Sequence, residues 1–243
     1  MTRVKASLTG CCGALALAAT APMAAHAADM PANWPAYEAK PHFSELLSGW
    51  YLRGDIGYRF NNVDAVESFT PATSQRYPDS LGLTAGAGFR YQWFRADVTL
   101  DFGAPVRMRA DTAAFGPSQY TTRVDAVSVL ANAYIDLGTW AGFTPYIGAG
   151  VGASYLRSKD YTDASLPPNP LGSLVTHTTN FSWAWMVGVS YQIAPTWVVD
   201  VGYRHLDLGD IASTTGSGLP ADSTLWKSLS TDEVRVGVRM LLD

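Results

Sequence analysis

Eight stretches of the chain alternate apolar and polar positions, and the segments joining them alternate long and short. In residues 50–60, Trp50, Leu52, Ile56, Tyr58 and Phe60 share one parity, and Tyr51, Arg53, Asp55 and Arg59 share the other. A period of two places each set on its own face of a strand. The pattern returns at 81–93, 95–102, 124–137, 143–155, 180–192, 197–206 and 232–242. The joining segments 61–79, 103–122, 157–177 and 207–231 are long, and those near 93–94, 138–142 and 193–196 are short. This spacing predicts an all-β chain, an eight-stranded antiparallel transmembrane β-barrel with short turns and both chain ends on one rim and four long loops on the other.

Alternation alone does not say which face points inward. A secreted lipocalin-like barrel also has eight strands, with apolar residues inside and polar ones in water. Two features favour the membrane. Beyond the first 27 residues the only lysines are Lys40, Lys159 and Lys227, all outside the eight segments, whereas a wall facing water favours lysine and glutamate. Trp50, Trp93, Trp140, Phe143 and Trp197 gather at the strand ends of the short-turn rim, as a periplasmic aromatic girdle requires.

With the apolar face turned to lipid, the interior holds Arg53, Arg59, Arg90, Arg95, Arg204, Arg235 and Arg239 against Asp55, Asp97, Asp101, Asp136, Asp200 and Glu233. Eight strands enclose a lumen that side chains fill. Guanidinium–carboxylate pairing in that space favours a solid ionic plug fixing strand register. The alternative is a narrow charged ion path.

The start of the chain reads as a targeting segment. Arg3 and Lys5 form a charged region, residues 10–24 are apolar, and Ala25-His26-Ala27 is a small-x-small cleavage site. Residues 1–27 are then a signal peptide, 28–48 a proline-containing periplasmic lead-in and 49–243 the barrel. Leu8-Thr9-Gly10-Cys11 matches a lipoprotein box, but it precedes the apolar run that such a box follows. Cleavage removes both cysteines, Cys11 and Cys12, leaving no disulfide framework or thiolate metal site. Without Arg3 and Lys5, 15 basic residues face 21 acidic ones, a net of −6 that argues against a nucleic-acid or anionic-membrane partner. No later apolar run approaches the length of a spanning helix, and a chain without one crosses a bilayer only as a closed barrel.

Several blocks then resemble a known family: Gly49-Trp50-Tyr51-Leu52-Arg53-Gly54, the strand Arg95-Ala96-Asp97-Val98-Thr99-Leu100-Asp101, the run Thr144-Pro145-Tyr146-Ile147-Gly148-Ala149-Gly150-Val151-Gly152, and Gly202-Tyr203-Arg204-His205. Together they resemble the small outer-membrane β-barrel (opacity-like, "porin family") surface proteins of Gram-negative bacteria, over roughly residues 49–243. The resemblance implies the fold of the OmpA transmembrane domain, a cell outer membrane location among lipid and lipopolysaccharide, and export through the outer-membrane assembly machinery. Arg235, Gly237, Met240 and Leu242 fit that machinery's recognition pattern, which here lacks a terminal aromatic and ends in Asp243.

Some eight-stranded outer-membrane proteins are enzymes that edit lipid A, and such an enzyme needs a catalytic histidine with a hydroxyl partner. His42 falls in the lead-in, His177 in a long loop, and His205 on the outward parity beside Tyr203, where an interfacial histidine is expected. No serine stands two residues from a strand histidine. Asp207 and Asp210 lack the further oxygen ligands of a calcium loop. The glycines of 148–152 share one strand face and thin a crowded wall. The expectation is a monomeric envelope protein without enzyme activity, cofactor or metal, and not a general-diffusion pore. The four long loops carry Phe69, Tyr77, Phe115, Tyr161 and Trp226. They are either a solvated, variable surface or an adhesive one that meets a host surface, lipopolysaccharide or another envelope protein.

Overall fold

The computed structural model describes residues 49–68, 72–112, 118–163, 175–214 and 223–242. They form β1 (Gly49–Ser68), β2 (Ala72–Arg76), β3 (Ser80–Tyr91), β4 (Phe94–Thr112), β5 (Ser118–Asp136), β6 (Phe143–Asp163), β7 (Thr176–Ala194), β8 (Trp197–Thr214) and β9 (Ser223–Leu242). Every pairing is antiparallel, β1 closes on β9, and β4 joins both β3 and β5, so eight strands make a ring. The short β2 pairs with β4 at Arg109 and beyond, past the last β3 partner at Gly103, and continues the track that β3 leaves.

Register fixes the shape. Stepping across partners from Phe60 passes through Asp232, His205, Trp185, Ala149, Ala133, Ala96 and Phe89 and returns to β1 at Trp50. The circuit therefore closes with a stagger of ten residues, which for eight strands means a tilt of about 40° and a backbone diameter of about 16 Å. At that tilt the ten residue steps from Trp50 to Phe60 rise about 25 Å, the height of an outer-membrane apolar band. Along that band Leu52, Ile56, Leu83, Val98, Leu100, Val129, Ile147, Val151, Val187 and Val236 all face outward and are exposed. Trp50, Trp93, Trp140, Phe143 and Trp197 are exposed at the rim holding the tight turns.

The strands run much further than their alternation suggests. Large parts of the four expected loops 61–79, 103–122, 157–177 and 207–231 are strand, the wall of a barrel that continues beyond the lipid band. Lys159 and Lys227 lie in strands, and so does His177, whose ring stacks on Tyr155. Two physical causes hid this. Outside the membrane the polarity inverts: on β4, Val106, Met108 and Ala110 are buried while Arg107, Arg109 and Asp111 are exposed. Parity also slips at bulges, between Gly103 and Val106 on β4 and around Gly209 on β8. A bulge sets two residues against one, so inward positions change from odd to even on β4 and from even to odd on β8. Gly209 has φ +76°, and a Cβ there would meet the side chain of Asn180, whose amide donates to the carbonyls of Leu208 and Asp210.

Candidate functional surfaces: a filled lumen and a polar outer rim

Within the membrane the lumen is built from ion pairs. Arg53 forks onto Asp55 at 2.8 and 3.0 Å and donates to Asp97 and to the Tyr134 hydroxyl, both at 2.9 Å. Asp97 also accepts from Tyr51 and Asn132. Nearer the outer rim, Asp101 and Glu233 each contact both Arg59 and Arg204, and Thr84 donates to Asp101 at 2.7 Å. Toward the periplasmic mouth, Arg239 grips Asp200 with Ser190 bridging the two, and Arg95 pairs with Asp136 at 2.9 Å between the rings of Tyr134 and Tyr146. These groups are almost wholly enclosed; Arg204 is 1% exposed. Charge-assisted bonds of this length in a closed space fix both register and side-chain rotamer.

Two members of the expected set differ from the rest. Arg90 lies at the periplasmic mouth, less deeply buried, and reaches Asp136 only at 3.5 Å. Arg235 is buried, yet no carboxylate approaches it within 4.0 Å among the described residues, and its Nη2 rests on the Met186 sulfur at 3.4 Å. The inward glycines are the places where long neighbours lie down. A Cβ on Gly82 would stand 2.2 Å from the Arg59 guanidinium, one on Gly57 would meet Glu233, and those on Gly188 and Gly202 would meet the Tyr146 hydroxyl.

The projecting half of the barrel is filled differently. Tyr77, Val106, Met108, Val124, Leu156, Leu208, Ile211, Trp226 and Leu229 belong to one apolar core. Trp226 is 0% exposed and Tyr77 9%, so these two are core residues and not the loop contacts expected of them. Phe69, Phe115 and residues 1–48, including His42, lie outside the described residues, as does the side chain of Tyr161. Sequence reasoning missed this core because it sought apolar residues on the outward parity. Its signal was present in the inverted alternation of residues 104–111.

The outer wall carries the remaining chemistry. His205, outward on β8, has Nδ1 2.7 Å from the Asp232 carboxylate, which also accepts from Tyr203 at 2.5 Å and from Asn62 at 3.2 Å. Trp183 and Trp185 pack their rings against this cluster. No serine or threonine hydroxyl bonds His205 among the described residues, and no group of acidic, histidine or cysteine side chains there could hold a metal ion. Above the lipid band, β2, β4 and β5 are clasped by Asp111, which accepts from Ser74 at 2.7 Å and Gln119 at 2.9 Å. Those two bonds, Gln119 first, hold its carboxyl below the usual carboxylate range.

This architecture has relatives. Residues 12–240 match the family described as the outer membrane protein beta-barrel domain. An uncharacterized protein of Brucella abortus (strain 2308) is 31% identical over 222 residues, covering 77% of this chain and 77% of its own. A candidate adhesin of Rickettsia rickettsii (strain Sheila Smith) is 27% identical over 195 residues, covering 74% and 83%. Among solved structures, the outer membrane protein OprG from Pseudomonas aeruginosa aligns with a TM-score of 0.51 at 16% identity, over 80% of this chain and 97% of that one. A closed ring of eight antiparallel strands, an apolar outer band and a family match across nearly the whole chain lead to one conclusion: this protein belongs to the outer membrane protein beta-barrel domain family and is an integral β-barrel of the cell outer membrane.

Proposed function

We propose that this protein acts at the cell surface through its outer rim, as an adhesin-type contact, with the barrel serving as a rigid scaffold. The observation that carries this reading is the filled interior. Among the described residues, ion pairs dominate the membrane half and apolar side chains with buried hydroxyls fill the projecting half, which leaves the exposed, polar outer rim for recognition. The likeness to the Rickettsia candidate adhesin supports the same reading. The reading includes no catalytic step: no serine or threonine hydroxyl bonds the His205–Asp232 pair among the described residues. It also takes residues 1–27 as a cleaved leader, 28–48 as a periplasmic lead-in and the protein as a monomer. In this reading Arg235, Gly237, Met240 and Leu242, on the strand that closes against β1, form the handle for the assembly machinery.

The test is gain of attachment. Expressed in a non-adherent Gram-negative host, the protein is expected to raise binding to cultured host cells several-fold. Replacing 164–174 or 215–222 by a short Gly-containing turn is expected to reduce that gain while leaving the barrel folded, because closing a chain between two strands depends only weakly on its length. Attachment unchanged by expression, or by trimming every outer connection, would remove the adhesin reading and leave an envelope role alone.

A further inference from the structure

We infer that Arg76, Arg107 and Arg109 form a binding site for the phosphate groups of an outer-leaflet glycolipid. Like charges directly opposite on neighbouring strands repel. Here Arg76 stands opposite Arg109, Arg107 opposite Arg123, and Arg123 opposite Lys159. In a chain of formal net charge −4, such a row is not a by-product of composition. Lys159 is matched by Asp125 at 2.6 Å and Arg123 meets Asp160 at 4.0 Å, but Arg76, Arg107 and Arg109 have no ion pair among the described residues. The carboxylates of this flank leave charge to spare: Asp79 accepts from Tyr58, and Asp111, which Arg109 acts on electrostatically, accepts from Ser74 and Gln119.

The three arginines line one open cavity of about 450 Å³ together with Tyr77, Pro78 and Asp79. Tyr77 is buried behind them, which gives the cavity a firm floor. Three planar guanidinium forks around one space suit a tetrahedral oxyanion, which accepts several bidentate pairs at once. Height selects the source of that anion. Arg107 lies five residues beyond Phe102 on the same strand, and Phe102 faces lipid near the outer edge of the apolar band. At the barrel tilt this places Arg107 about 10 Å above that ring, within side-chain reach of a headgroup layer. The site is also one-sided, since the outer wall of β1 and β8 carries Asp64, Glu67, Asp207 and Asp210. A glycolipid phosphate would bridge the opposed arginines and seat this flank in the leaflet.

The experiment uses the full-length protein purified from outer membranes and reconstituted in vesicles of defined composition. Lipid retained after detergent exchange is counted by native mass spectrometry, with bis-phosphorylated lipid A and its enzymatically dephosphorylated form as probes. Wild type is expected to retain the phosphorylated form at least tenfold better, and 10 mM inorganic phosphate is not expected to displace it. The Arg107→Gln/Arg109→Gln pair is expected to lose that preference, and the Arg107→Lys/Arg109→Lys pair to keep part of it. All forms are checked for heat-modifiable mobility, so that loss of fold is separated from loss of binding. Equal retention of both lipids by wild type would overturn the assignment, as would displacement by free phosphate. So would a site that takes a soluble sulfated polysaccharide through these arginines while ignoring lipid phosphate.

Discussion

Asp101 stands between two guanidiniums, Arg59 and Arg204, and also accepts from Thr84. Asp101→Asn would leave two buried cations with Glu233 alone, and breaking a buried pair costs about 3–5 kcal/mol. A urea titration of the folded barrel in detergent is expected to show a loss of that size. Arg235 predicts the opposite sign. With Met186 rather than a carboxylate as its neighbour, Arg235→Met exchanges a desolvated charge for an apolar side chain. Its unfolding midpoint is expected to stay level or rise; a fall as large as that of Asp101→Asn would show that Arg235 is a working member of the ionic network. The sequence shows which charges face inward, because lipid forces apolar residues onto the other parity. It does not show who pairs with whom. That depends on a stagger of ten residues and on which glycines let a guanidinium lie flat, as Gly82 does for Arg59.

Strands were legible where they cross lipid and illegible where they leave it. On β4 the reading stopped at Phe102, because beyond the bulge at Gly103 the parity slips and the inside becomes apolar. On β9 residues 223–231 read as loop, although Trp226 and Leu229 are fully buried core. Trp226 separates the two descriptions: truncating a large buried aromatic costs about 3–5 kcal/mol, whereas an exposed loop tryptophan costs little. Trp226→Ala is therefore expected to lower unfolding stability strongly without altering membrane insertion. The clasp at Asp111 gives the projecting wall a pH dependence. Its lowered carboxyl contributes stability that is full above the ordinary carboxylate range and lost as pH falls through the lowered value. The amide signals of Ser74 and Gln119 are expected to hold steady from pH 7 down to about 4 and to shift only below that; movement already at pH 6 would assign the clasp to another group.

At the scale of the whole molecule, one barrel answers two solvents. A closed ring satisfies every ladder hydrogen bond in hydrocarbon, and the same ring continues into water by exchanging an ion-paired interior for an apolar one laced with buried hydroxyls. Beyond an open hollow of about 390 Å³ at the tight-turn mouth, side chains fill this interior among the described residues, so the protein is a scaffold for its outer surface and not a conduit. Single-channel recording of the purified, folded protein in planar bilayers tests that claim most directly. A baseline indistinguishable from protein-free membrane is expected at physiological salt, with heat-modifiable mobility of the same sample proving that it is folded. A steady, porin-sized current from that sample would contradict it.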